Sequence, residues 1–214
     1  MSIRYGVALI PEPSFTARVY QARQIVCGQY ASWAAEMHLL HLTLVDFFEC
    51  PDATVEWVST GLAKISEEAC RRVPRFPLVS RGVSTFPGVA GNIHLDFTVS
   101  ANPTERNQRE LNILHHEVIG LLEQAESRVL DLKSASENFH PHITLMEYAN
   151  LPPAVFDTAV EFAGAVLRDL QVPNHTRAWQ MVLVRFESET AGGDWDNGRW
   201  AADLRWQLMA AYPL

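Results

Sequence analysis

Apolar and polar positions along the chain change period repeatedly, and each change marks an element. Tyr5 to Ile10 is a short apolar run closed by Pro11-Glu12-Pro13, the pattern of a buried strand. Ser14 stands at an N-cap position before Phe15, Val19, Ala22 and Val26, a helical stripe that ends near Gly28. His38 to Phe48 is β-like. Asp52 heads a second helix in which Val55, Val58, Leu62, Ile65 and Ala69 recur at intervals of three and four. Two strands are predicted near Phe76 to Val83 and Asn92 to Val99. The second alternates Ile93, Leu95, Phe97 and Val99 with Asn92, His94, Asp96 and Thr98, giving one apolar and one polar face.

Pro103 opens the longest helical pattern, with Leu111, Leu114, Val118, Leu121, Ala125 and Val129 on one side. A strand follows over Pro141 to Tyr148. Pro152-Pro153 starts a helix to about Leu170, with Phe156, Val160, Ala163 and Leu167 inward. Ala178 to Glu187 and Arg199 to Leu208 are the last strands, joined by a Gly- and Asp-rich loop holding Trp195. Strands are often adjacent in sequence, which predicts an α+β fold with mostly antiparallel sheets rather than an alternating parallel one. No linker, low-complexity tract or composition shift divides the chain, so one domain over 1–214 is expected.

Within this pattern one short motif occurs twice. His41-Leu42-Thr43-Leu44 recurs as His142-Ile143-Thr144-Leu145. Side chains alternate across a strand, so His and Thr two apart share one face while the apolar residues pack on the other. Chance puts one such motif in roughly one chain in twenty to thirty of this composition, so two on predicted strands are not accidental. Two imidazoles titrating near neutrality can remove one proton and donate another across a phosphodiester. A Thr hydroxyl beside each can donate a hydrogen bond to a non-bridging oxygen. Such a site works without a metal.

His41-Leu42-Thr43-Leu44, together with Phe139-His140-Pro141-His142-Ile143-Thr144-Leu145, resembles the paired signature of the two-histidine (2H) phosphoesterase superfamily, which includes the 2′-5′ RNA ligase-like proteins and cyclic nucleotide phosphodiesterases. The resemblance implies a bilobal α+β fold: two mostly antiparallel sheets, flanking helices and pseudo-twofold symmetry around a central cleft. It implies that His41 and His142 are the acid-base pair, that Thr43 and Thr144 hold the phosphate, and that no metal or other cofactor is used. The implied reaction is hydrolysis of a 2′,3′-cyclic phosphate or a 2′-5′ linkage. The near-identical motifs do not say which histidine is the acid. A nucleotide- or phosphate-binding module of the same fold without turnover is the alternative, and a metal hydrolase a third.

Charge narrows the partners. The formal net charge is -8 and basic residues are scattered, which excludes an extended duplex and leaves a small nucleotide or an RNA terminus. No apolar run reaches membrane-span length and no leader-like segment opens the chain, so no membrane partner and a cytoplasmic location are expected. Three dispersed cysteines suggest free thiols. Oligomeric state is not encoded in any of these patterns.

Other candidates read less directly. Asp46 and Glu147 follow the motifs, but ideal alternation turns both away from the His-Thr face. Phe47 and Tyr148 share that face, yet six residues of strand span roughly 20 Å, which favours packing over base stacking. Trp195 is the candidate for base stacking or a lid, with packing onto the core as its alternative. His94 and Asp96 share the polar face of their strand and could reach the cleft, with solvent exposure as the default, and His115-His116 is expected at a helix surface. His38 and His41 would face opposite ways on a strand.

Overall fold

A computed structural model describes residues 1–86, 91–98, 109–125, 139–190, 195 and 198–214. Among these residues the chain forms four helices and eight strands. In order they are β1 (Ser2–Pro11), α1 (Pro13–Tyr30), β2 (Leu42–Phe48), α2 (Asp52–Arg72), β3 (Pro77–Val79), β4 (Gly82–Ser84), β5 (Ile93–Asp96), α3 (Arg109–Gln124), β6 (His142–Met146), α4 (Pro153–Asp169), β7 (His175–Ser188) and β8 (Arg205–Pro213). Short 3-10 turns at Ala34–Met37 and Arg199–Ala202 precede β2 and β8. Among the described residues no helix is long and apolar enough to cross a membrane.

The expected α+β class holds, and every strand pairing is antiparallel. The two expected sheets join into one hydrogen-bonded path, β3-β7-β1-β2-β6-β5-β4, with β8 pairing β7 off that path. Their junction is narrow: β2 and β6 meet at the single pair Leu42↔Ile143. The predicted strand at Phe76 to Val83 is divided because Gly82 has φ +95°, a left-handed turn that ends β3 and starts β4. These two short strands cap opposite ends of the path, so the sheet curls until its ends are joined by a short turn.

Helices follow the apolar stripes. Phe15, Val19, Ala22 and Val26 of α1 are buried, as are Val55, Val58, Leu62 and Ala69 of α2 and Leu111, Leu114 and Val118 of α3. Pro103, Val129 and most of the Gly- and Asp-rich loop lie outside the described residues. The main core fills the space between these helices and the back of the sheet, and Leu42, Leu44, Ile143 and Leu145 belong to it. A second, smaller core forms on the opposite face, where Ala8, Val182, Val184, Phe186, Trp195, Trp200 and Leu204 pack together.

Three expectations change. Residues 38–41 are not strand, since β2 begins only at Leu42. The last strand begins at Arg205, because Arg199–Ala202 coils into a 3-10 turn that tucks Trp200 under the second core. His115 is fully buried rather than superficial, and its ring stacks on Phe139 at 3.8 Å between centroids.

The junction yields the first prediction. Ile143 is fully buried and its backbone pairs with both Leu42 and Leu95. Ile143→Ala should lower unfolding free energy by about 2–5 kcal/mol. Urea denaturation checks this, and a loss below about 1 kcal/mol would mean the junction carries little of the packing.

Candidate active site

Both motif strands carry a β-bulge at the same place. Val7 and Ala8 are consecutive on β1, but their partners on β2 are Val45 and Thr43, so Leu44 is the extra residue. Ile93 and His94 on β5 face Met146 and Thr144 on β6, so Leu145 is the extra one. A bulge leaves a strand group without its ladder partner and bends the chain. Each freed carbonyl is met by a buried side chain: His115 Nδ1–H donates to Leu44 O at 2.7 Å, and Cys27 Sγ–H donates to Leu145 O at 3.3 Å.

The bulges decide what reaches the face. Leu44 and Val45 are both buried, as are Leu145 and Met146, so strict alternation fails in both copies. Asp46 and Glu147 consequently line the same cavity as the motif histidines instead of turning away. Phe47 and Tyr148 line it too. The repeat is therefore longer than four residues. His41-Leu-Thr-Leu-Val-Asp46-Phe47 matches His142-Ile-Thr-Leu-Met-Glu147-Tyr148 in residue class at every position.

One cavity of about 300 Å³ brings His41, Thr43, His142 and Thr144 together. The two histidines are anchored alike. His41 Nδ1–H donates to Leu39 O at 2.8 Å, and His142 Nδ1–H donates to His140 O at 2.7 Å. A ring nitrogen that donates to a carbonyl carries the proton, which makes Nε2 the nitrogen with the free lone pair in each neutral ring. Thr43 Oγ1 lies 3.1 Å from His41 Nε2.

His38 also lines this cavity, its ring 5.3 Å from that of His41. The strand argument fails here because residues 38–41 are not extended in a ladder. His38 Nε2 sits 3.3 Å from Glu147 Oε2. Behind it, the buried Arg23 of α1 pairs with Glu36 at 3.0 Å and donates from Nη2 to His38 O at 3.0 Å. That ion pair fixes the 3-10 turn from which the first motif starts.

Aromatic residues close one wall. Trp195 lines the cavity at 1% exposure, packed onto the core as its alternative reading has it. Its Nε1–H donates to Ser2 Oγ at 2.8 Å and Thr190 O at 3.0 Å, and Phe47 packs against its ring. Those bonds hold it in the wall. Trp200 lines the cavity at 2% exposure, and its Nε1–H has no acceptor among the described residues. Gly198 permits this wall: its φ is +69°, and a Cβ there would lie 2.5 Å from the Tyr148 ring.

Burial governs the electrostatics. Desolvation drives His41 down to about 3, with His38 and Arg23 acting in the same direction. His142 is also lowered by desolvation, but Asp46 and Glu147 pull it back up. Desolvation raises the Asp46 carboxyl, and Glu147 raises it further. Although Asp46 is accessible to solvent within the recess, protein crowds it on most sides. Among the described residues, the cavity lining includes no Lys or Arg, and no group of three or more His, Cys, Asp or Glu is arranged to hold a metal ion.

His94 departs furthest from its expected solvent exposure. It is 1% exposed, stacks near Phe86 with centroids 4.2 Å apart, and lies 5.0 Å from the His142 ring. Neither ring nitrogen has a hydrogen-bond partner among the described residues. Desolvation lowers it to about 4.

Against this geometry, the sequence profile of the 2′-5′ RNA ligase superfamily matches residues 11–189. No curated protein matches the chain by sequence. Solved structures share the fold. E. coli LigT in its apo form has a TM-score of 0.58 at 16% identity, covering 99% of this chain and 96% of that one. E. coli LigT complexed with 3′-AMP has a TM-score of 0.56 at 17% identity over 99% and 97%. The Thermus thermophilus protein TT0787 has a TM-score of 0.57 at 18% identity over 99% and 97%.

The lowered histidines set a pH dependence. A histidine that titrates lower in the folded state takes up protons in the unfolded chain first, so its share of stability is present above about 6.5 and lost below it. Stability should therefore fall between pH 6.5 and about 4. His94→Phe removes two unpaired buried nitrogens and should recover about 1–3 kcal/mol at pH 4.5. Urea midpoints at about pH 7.5 and 4.5 test this, and an equal acid loss in the variant would contradict it.

Proposed function

The chain belongs to the 2′-5′ RNA ligase superfamily, a group of two-histidine phosphoesterases, and on that premise we propose that it hydrolyses a 2′,3′-cyclic phosphate or 2′-5′ phosphodiester of a nucleotide or RNA end. The observation that carries this reading is the pair of equivalently anchored imidazoles, each beside a threonine, in one cavity. A binding module needs donors but not two proton-transfer groups held in the same tautomer. The cavity volume suits a small ligand, and the crystal structure of E. coli LigT holding 3′-AMP is in keeping with a nucleotide.

The two sites are alike in geometry and unlike in charge. His41 lies beside His38 and in the field of Arg23, which favour the neutral ring. His142 is favoured in its charged form by Asp46 and Glu147. His41 is accordingly the base and His142 the acid. In the hydrolytic direction His41 Nε2 takes a proton from the attacking water as its oxygen bonds to phosphorus. His142 Nε2–H gives its proton to the departing ribose oxygen as that P–O bond breaks. The product is a phosphomonoester, and the two rings have exchanged protonation states. Thr43 and Thr144 hydroxyls donate to the non-bridging oxygens.

These roles are open to mutation and to pH. His41→Ala and His142→Ala should each abolish turnover of adenosine 2′,3′-cyclic phosphate, while Thr43→Ala and Thr144→Ala lower kcat about a hundredfold. Full activity in either histidine variant would sink the assignment. The pH profile of kcat/KM is a separate check. Activity requires neutral His41, so it rises with pH through a low value, and charged His142, so it falls through a value below 6.5. The maximum should lie on the acid side of about pH 6.5; a maximum above about pH 7.5 would reverse the reasoning.

A further inference from the structure

We infer that Asp46 and Glu147 are specificity-determining residues that make the cavity select a phosphate carrying one negative charge, a diester, over a dianionic monoester. The inference rests on the phosphoesterase reading of the cavity and concerns how that cavity sorts its ligands by charge.

The sign of the lining is unusual for an anion site. Its charged and titratable members are His38, His41, His142, Asp46, Glu147 and the Tyr148 phenol, with no Lys or Arg among the described residues. Arg23, the nearest guanidinium behind the first motif, is buried and bonded to Glu36 and the His38 carbonyl, and does not line the cavity. A phosphate held here is met by hydroxyl and imidazole donors, which satisfy hydrogen bonds without supplying fixed positive charge. Such donors suit a monoanion. Beyond the single charge of a protonated His142, a second negative charge faces only carboxylates among the described lining residues.

Range makes that repulsion count. A cavity of about 300 Å³ is roughly 8 Å across, no larger than the Debye length at physiological ionic strength. Every ligand atom in it thus feels both carboxylates largely unscreened. Among the described residues, neither carboxylate is ion-paired with a guanidinium or ammonium. Glu147 lies 3.3 Å from the His38 imidazole, and the side chain of Asp46 accepts from the Phe47 backbone N–H at 2.9 Å.

The placement is built rather than incidental. The two carboxylates occupy equivalent positions of the long repeat, and each reaches the cavity because a bulge intervenes after the threonine. The fold meets the cost of each bulge with a dedicated donor, His115 on one strand and Cys27 on the other. Ser32 Oγ–H also donates to Glu147 O at 3.3 Å, holding the second acidic residue from behind. Hydrolysis turns a monoanionic diester into a monoester that is dianionic at neutral pH. The same carboxylates that tolerate the reactant therefore expel the product.

The test compares two ligands that differ by one ionisable oxygen, free in one and methylated in the other. Deoxyadenosine 3′-phosphate and its methyl phosphodiester lack the 2′-hydroxyl and cannot cyclise; calorimetric titration at about pH 7.5 reads binding, with chromatography of the titrated mixture checking that water has not cleaved the diester. Wild-type protein should bind the methyl diester at least about tenfold more tightly than the monoester. In the Asp46→Asn/Glu147→Gln double variant the ratio should fall within about threefold, and Glu147→Lys should invert it, a result that a merely structural role does not produce. Equal affinities in wild type, a wild-type preference for the monoester, an unchanged ratio in the double variant, or no binding of either ligand would overturn the inference. Hydrolysis of adenosine 2′,3′-cyclic phosphate by wild-type protein is scored separately. Diester preference without turnover would remove the enzymatic reading and leave charge selection standing.

Discussion

The site depends on one backbone contact, the Leu42↔Ile143 pair where the two halves of the sheet meet. Each of these residues is fully buried and stands between a histidine and a threonine. Fixing that register places four polar side chains on the open face while Leu42 and Ile143 pack into the main core behind. The core holds the pair, and the pair holds the chemistry. A one-residue slip of either strand would send its His and Thr into the core and its apolar residues into the cavity.

Beyond the threonines, ideal geometry is abandoned in both strands at the same step. The bulges at Leu44 and Leu145 turn Asp46 and Glu147 toward the cavity, and the orphaned carbonyls are covered by His115 and Cys27. These two buried residues lie outside the cavity lining yet decide its charge. The symmetry is incomplete where it matters for proton transfer. A histidine and a buried arginine neighbour His41, whereas two carboxylates favour the charged form of His142. One scaffold thereby presents two similar imidazoles with opposite leanings.

Much of this was legible in the residues themselves. The apolar stripes of α1, α2, α3 and α4 marked the helices, and the repeated His-x-Thr-Leu marked the motif strands whose side chains meet in one cavity. What escaped depended on departures from period two. An ideal strand turns Asp46, Glu147 and His38 away from the site, and a bulge or a 3-10 turn carries no strong single-residue signal. The acid and aromatic that recur at the same offset in both copies were the available clue. Trp195 looked exposed beside its glycines and is buried because Ser2 and Thr190 offer its indole N–H two acceptors. His94 looked solvated by alternation, but Phe86 covers it, and that contact is not local in sequence.

The central claim is that both motif imidazoles are held by backbone carbonyls with Nδ1 protonated, which leaves Nε2 as the proton-transfer nitrogen in each. Long-range proton–nitrogen correlation spectra of the ¹⁵N-histidine-labelled protein at about pH 7 test it most directly, with His41→Asn and His142→Asn supplying the assignments. Both residues are predicted to appear as the Nδ1–H tautomer. Either one found as the Nε2–H tautomer would contradict the account, because its lone pair would then point at a carbonyl and away from the phosphate.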